Sequence, residues 1–353
     1  MSTAGQPVLI PVRESHRFDE AALCRYLGAT LPEFAAGCAV RQFQGGQSNP
    51  TFHLATARGA YVLRKKPPGK LLPSAHAVDR EYAVLRALAG TKVPVPRVRV
   101  LCIDESVIGQ MFYVMDHVEG RVFADRLVDG VSRAERAAMF DDMNRVLAEL
   151  HRVDFRAVGL EAFGRPEGYA ARQIARWSKQ YAASKVRELP VMDRLAEWLA
   201  AYKLPPDEAA IAHGDFRQGN LIFHPSEPRV VAVLDWELAT IGHPIADLAY
   251  NCMPYRLPDA GGRGYGGVDL DALGIPREED YVAAYCRRTG RREVPNWDFF
   301  LVLSMFRIVA ILAGVHRRGL DGNAADARAI EVGKVFPEIA ERAWAVAQRI
   351  GSA

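Results

Sequence analysis

At 353 residues, 49% hydrophobic and 25% charged, the chain is long enough for two domains or one bilobal unit with a sizeable core. A net charge of +3 is too small for a nucleic-acid-binding protein, and the longest apolar stretch, 299–315, is interrupted by Ser304 and Arg307 and reads as a core helix rather than a membrane span. Five singly scattered cysteines (24, 38, 102, 252, 286), with no metal-type pair and no basic-then-apolar leader before them, argue against a disulfide framework and for the reducing cytoplasm.

Residues 1–37 read as an irregular arm with a short helix at 19–27. Residues 38–117 are strand-rich, with strands expected at 38–44, 51–55, 60–65, 98–103 and 110–115 and one helix at about 75–89. This segment is the expected nucleotide-binding lobe. From 118 to 353 the pattern is mostly helical, and Ser132 with Glu135 makes a capping-box start for a helix reaching His151. The fold class expected is α+β: a small antiparallel sheet with one main helix, then a larger helical lobe for catalysis and substrate.

Gly45-Gly46-Gln47-Ser48-Asn49 joins the first two of these strands. Paired glycines let backbone approach phosphate oxygens, and Ser48 and Asn49 add polar donors. In strand 60–65, alternation puts Val62 and Arg64 on one face and Leu63 and Lys65 on the other. Arg64 is the expected ligand of the α/β-phosphates, with Lys65 as the second candidate. The apolar stripe of helix 75–89 (Val78, Tyr82, Leu85, Leu88) also carries Glu81. A carboxylate there is costly unless paired, and Arg64 is the obvious partner. Strand 110–115 enters a hinge where backbone near 116–118 is expected to hold adenine, flanked by Met115 and Val118.

The strongest signal is His213-Gly214-Asp215-Phe216-Arg217-Gln218-Gly219-Asn220 followed by an apolar run ending at Asp235. Strands 220–224 and 230–234, joined by Pro225-Ser226-Glu227-Pro228, make a hairpin with Asn220 and Asp235 at the same end. Opposed residues there lie ~4.5–5.5 Å apart, so two oxygen ligands can share one Mg²⁺. Each residue alone is ordinary turn chemistry. Together, an aspartate, an asparagine five positions on and an aspartate closing an apolar strand stand in the order of base, metal ligand and metal ligand in protein kinases. Asp215 is the expected base for a hydroxyl acceptor. Arg217 is placed to offset charge on the transferred phosphoryl group.

With Tyr61-Val62-Leu63-Arg64, Glu81 and Asp235-Trp236-Glu237 added, the chain resembles the aminoglycoside phosphotransferase family of the protein-kinase-like fold over about residues 38–345. The resemblance implies ATP and Mg²⁺, and implies that Asp247 supports the catalytic turn through backbone hydrogen bonds. Arg217 departs from the pattern, since protein kinases carry Lys and many antibiotic kinases His at that place. The run from Arg64 to His76, with Phe306-Arg307-Ile308 and Gly322-Asn323-Ala324, is similar to the kinase-like domain fused to some acyl-CoA dehydrogenases and to its stand-alone bacterial relatives. That narrower likeness implies a hydroxyacyl-CoA, a CoA thioester, as the small-molecule acceptor. An antibiotic kinase is the nearest alternative, yet residues 251–279 mix Arg256, Arg263 and Arg277 with Asp259, Asp269 and Asp271 rather than clustering carboxylates for a polycation. A catalytically inactive nucleotide-binding regulator is the alternative of another class. A protein kinase would need an Ala-Pro-Glu segment after Asp235, which is missing. Oligomeric state and ATP-versus-GTP preference leave no trace in the sequence.

Overall fold

The computed structural model describes residues 7–44, 49–68, 77–204, 207–259, 264–321, 330–331 and 334–351. The Gly45–Ser48 part of the glycine turn, residues 69–76 and residues 322–324 lie outside the described residues. The chain divides into two compact units: Met1–Ala124 with Gln218–Ala239, and Asp125–Arg217 with Thr240–Ala353.

The first unit is built on a six-stranded antiparallel sheet in the order β1-β2-β3-β4-β6-β5. Its strands are β1 (Leu9–Ile10), β2 (Ala39–Phe43), β3 (Thr51–Thr56), β4 (Gly59–Lys65), β5 (Val98–Cys102) and β6 (Phe112–Asp116). Five stand where alternation predicts them. The sixth, β1, lies in the arm expected to be irregular: Leu9 and Ile10 pair with Phe43 and Gln42, an edge strand too short to show a period. One sheet face carries Phe52, Leu54, Tyr61, Leu63, Phe112 and Val114 into a core with Leu23 and Leu27 of α1 (Glu20–Thr30). The helix is started by Asp19, whose Oδ1 accepts from Ala22 N at 2.8 Å. Helix α2 (Val78–Leu88) packs on β5 and β6. Cys24 and Cys38, isolated in sequence, meet with Sγ atoms 3.1 Å apart.

Beyond β6 the chain forms α3 (Arg133–Arg152), α4 (Tyr169–Ser184), α5 (Pro190–Ala201), β7 (Ala210–Ala212), the hairpin strands β8 (Leu221–Phe223) and β9 (Val230–Val233), then β10 (Thr240–Gly242), α6 (Pro244–Cys252), α7 (Leu270–Leu273), α8 (Glu278–Thr289), α9 (Trp297–Leu320) and α10 (Phe336–Ile350). Ser132 starts α3 as the capping box requires, its Oγ accepting from Glu135 N at 3.1 Å. Helix α9 is, among the described residues, one helix long and apolar enough to cross a membrane, but 78% of its apolar window is buried inside the protein. It packs on α4, α6 and α10.

The β8–β9 hairpin groups with the sheet unit, whereas the sequence reading kept 118–353 together. The reason is local bonding. Arg121 and Phe223 exchange both backbone hydrogen bonds (2.8 and 2.9 Å), and Val233 N donates to Pro94 O at 2.9 Å. Gly120 permits this approach, because a Cβ there would overlap Ile222 Cγ2 and the Phe223 carbonyl oxygen. Gly120→Ala is therefore expected to destabilise the protein by about 1–3 kcal/mol, read as a lower urea midpoint. An unchanged midpoint would show that the strand pair gives way without cost.

Candidate active site

In the first unit, directly opposed residues share a face of the sheet. His53 faces Val62, Val62 faces Met115, and Arg64 faces Thr51 and Tyr113. This is the face opposite the apolar core. Arg64 Nε lies 3.0 Å from Glu81 Oε2, and its Nη2 lies 3.0 Å from Asp235 Oδ1. Glu81 is 1% exposed. Its remaining valence is met by Asn49 Nδ2, which donates at 2.6 Å, and by the Tyr113 hydroxyl at 3.1 Å. Burial opposes charge on Arg64, but Glu81 and Asp235 outweigh it and hold the guanidinium protonated.

Two expected site residues are placed otherwise. Lys65 is fully buried on the opposite face, where Nζ donates to Gln110 Oε1 at 3.0 Å and sits 5.7 Å from the Phe18 ring centre. Burial pulls its pKa down to about 8. Strand alternation leaves Arg64 as the cation beside Glu81 and turns Lys65 into the core. Asn49 was expected to serve phosphate, yet it is 1% exposed and spends its amide on Glu81, because a buried carboxylate needs every donor within reach. Met115 is buried opposite Val62, and Val118 is half-buried just past β6.

Asn220 closes a 3₁₀ turn, Gln218–Asn220, at the mouth of β8, and Leu234 N donates to its carbonyl at 2.8 Å. Leu221 pairs with Val233, so the register opposes Asn220 to Leu234, one residue short of Asp235. Asp235 follows in the left-handed region (φ 66°, ψ 59°), which Asp tolerates better than most residues. Its carboxylate, one-third exposed, is the group that meets Arg64.

In the second unit, β7 delivers the chain to the turn at His213, and its partner β10 delivers it to α6. Asp247, in the first turn of α6, accepts from His213 N at 2.7 Å and from Gly214 N at 2.8 Å. Its carboxyl is fully enclosed. Burial pushes its pKa up, but His151, 3.3 Å away, and His213 outweigh that and hold it ionised. Gly214 takes φ +83°, open to glycine at little cost. From the same face of α6, Tyr250 donates to Asp215 Oδ1 at 2.7 Å and Asn251 Nδ2 to Phe216 O at 3.1 Å. Arg217 Nε lies 3.2 Å from Asp215 Oδ2. Burial raises the Asp215 pKa, but Arg217 and the Tyr250 hydroxyl overcome it and keep the carboxyl below the ordinary range. Asp215 is thus held as an ionised carboxylate, with its turn fixed from behind.

A family model described as the phosphotransferase enzyme family matches residues 39–297. The chain belongs to that family. It is a small-molecule kinase of the kinase-like fold. Acyl-CoA dehydrogenase family member 11 of Gallus gallus is 46% identical over 98% of the chain and 46% of its own length. The chain spans about a third to just under half of the first curated relatives it matches. The crystal structure of a candidate aminoglycoside phosphotransferase from Ralstonia eutropha JMP134 is 47% identical, with TM-score 0.86 over 94% of this chain and 99% of that one. Spectinomycin phosphotransferase, solved with ADP and spectinomycin, shares the fold at 13% identity and TM-score 0.60, covering 94% and 99% of the two chains.

Several residues of this phosphotransferase escaped sequence reasoning. Tyr113 and Tyr250 look like core aromatics; only their spacing, two before Met115 on one strand face and three after Asp247 on one helix face, could have flagged them. The rings of Phe43 on β2, His53 on β3 and His117 just past β6 cluster, with His53 and His117 centred 5.1 Å apart. Arg256 and Arg277, weighed as substrate-side cations, are tied to Glu278 and Asp271. Tyr250→Phe removes a donor that favours the Asp215 carboxylate, so the Asp215 pKa rises. The acid limb of the kcat–pH profile is expected to move to higher pH, and an unmoved limb would take Tyr250 out of that role.

Proposed function

We propose that this phosphotransferase moves the γ-phosphoryl group of ATP to a hydroxyl of a hydroxyacyl-CoA. The observation that carries the kinase chemistry is Asp215: a largely buried carboxylate, kept ionised, on a turn whose backbone is anchored by Asp247. The acyl-CoA part is supported by the 43% and 46% identity, over 98% of the chain, to acyl-CoA dehydrogenase family members 10 and 11.

In this reading Asp215 orients the acceptor hydroxyl and takes its proton as the new P–O bond forms and the bond to ADP breaks. The transition state of such transfers is loose, so positioning and charge do most of the work. Arg64, kept straight by Glu81, grips the α/β-phosphates. Arg217, 38% exposed and at the edge of its ion pair, offsets charge on the moving phosphoryl group. Asn220 and Asp235 offer one carboxamide and one carboxylate oxygen. This suits Mg²⁺, which takes few protein ligands and completes its shell with water and phosphate. When bound, the ion would neutralise the phosphate oxygens.

Asp215→Asn is expected to lower kcat by ~10²–10⁴ while leaving ATP affinity nearly intact, measured by steady-state kinetics with a 3-hydroxyacyl-CoA and by calorimetry. Unchanged turnover would remove Asp215 as the base. Asp235→Ala is expected to abolish Mg²⁺-dependent nucleotide binding in the same calorimeter, and normal binding would contradict the metal assignment.

A further inference from the structure

Arg307 lies midway along α9 among Phe306, Ile308 and Val309, and is only 8% exposed. Its Nε is buried with no hydrogen-bond partner among the described residues. Among the described residues no carboxylate lies within ion-pairing distance of it, unlike Arg64, which reaches two. What holds it is two aromatic rings. The guanidinium carbon is 4.6 Å from the ring centre of Tyr250 on α6 and 5.2 Å from that of Trp177 on α4. Ring faces attract a cation but accept none of its N–H groups, and the five donors of a guanidinium are otherwise among the costliest groups to bury. A leucine would serve α9 better if packing were the only task.

The neighbourhood adds a second observation. Tyr250 is the residue that donates to Asp215, so Arg307 lies one aromatic ring from the carboxylate assigned as base. Arg176 stacks on Trp177 at 5.0 Å, and after burial the charge of Arg307 is the main influence depressing its pKa, as expected of two cations close together. Arg217 lies on the other oxygen of Asp215. The second unit therefore surrounds its base with guanidinium groups. That is the wrong sign for a polycationic acceptor and the right sign for an anionic one.

We propose that Arg307 is a specificity-determining residue that binds an oxyanion of the acceptor, a carboxylate or a phosphate, and so sets the acceptor hydroxyl at Asp215. This rests on the reading of Asp215 as the base of an acceptor kinase, and deepens it by naming the acceptor's charge. The rings of Tyr250 and Trp177 fix the guanidinium and leave its N–H fork for a planar, bidentate partner, for which lysine is a poor substitute.

The test compares Arg307→Met and Arg307→Lys with the wild-type full chain on three acceptors that share one hydroxyl: 3-hydroxybutyrate, 3-hydroxybutyryl-CoA and the uncharged 3-hydroxybutyryl pantetheine thioester. Arg307→Met is expected to lower kcat/KM for a charged acceptor by about 30-fold or more, mainly through KM, with less than about 3-fold change for the pantetheine thioester. The free acid and the CoA thioester distinguish a carboxylate from a phosphate as the group read. Arg307→Lys is expected to fall between the two. Equal losses on charged and uncharged acceptors, or none on any, would overturn the proposal. Binding of CoA and of butyrate, measured calorimetrically without ATP, decides the matter even if no acceptor in this set is phosphorylated. A loss of about 10-fold or more in Arg307→Met upholds the oxyanion site while the acceptor assignment falls, and equal or undetectable binding in the wild type and the variant rejects it. Melting temperature and ATP affinity report whether Arg307→Met is folded. If it is not, Arg307→Lys carries the same comparison, and no selective loss on charged ligands in that variant overturns the proposal.

Discussion

One carboxylate, Asp247, bonds to two successive backbone N–H groups, and the turn at His213–Asp215 depends on it. His213 and Gly214 present their amides 2.7 and 2.8 Å from its two oxygens. Without such an acceptor these amides would be buried and unpaired, a state that costs as much as a lost hydrogen bond each. Asp247 can serve because it sits in the first turn of α6, where the helix dipole favours an anion. Antiparallel pairing of β7 with β10 then brings helix start and turn side by side. With the backbone held, Tyr250 and Asn251 on the same helix face finish the job, one on the Asp215 side chain and one on the Phe216 carbonyl.

The first unit solves a harder electrostatic problem. Glu81 is buried beyond the reach of water, and an isolated carboxylate there would not stay charged. It is satisfied by three different chemistries: the guanidinium of Arg64, the carboxamide of Asn49 and the hydroxyl of Tyr113. Arginine suits this position because its fork reaches Glu81 and Asp235 together, which a point-charge ammonium could not. Truncating one member would leave the others buried and unpaired, so the cluster stands or falls as a set. Arg307 shows the contrast. It is buried against the ring faces of Tyr250 and Trp177, with no carboxylate of the described residues in ion-pairing distance, and that difference marks it as a residue with something still to bind.

Much of this was written plainly in the chain. Strand alternation separated Arg64 from Lys65, the misplaced Glu81 on an apolar stripe announced a buried pair, and the capping box at Ser132 set the start of α3. The spacing from Asn220 to Asp235 gave the hairpin that sets the two near one end, because such geometry follows from turns and short strands. Asn49 shows the limit. A polar residue beside two glycines reads as a phosphate donor until a buried carboxylate thirty-two residues away claims its amide.

The amino-acid sequence by itself determined the periodicities, the turns and the motifs that mark the family, since these depend on neighbours along the chain. Tertiary structure alone decided that β1 completes the sheet, that the β8–β9 hairpin joins the sheet unit, that Tyr113 and Tyr250 orient the two carboxylates, and that Arg307 is held between two aromatic rings. Each of these is a contact between residues tens to hundreds of positions apart. No local preference encodes such a contact; it exists only once burial has made the unsatisfied groups of distant segments one another's best partners.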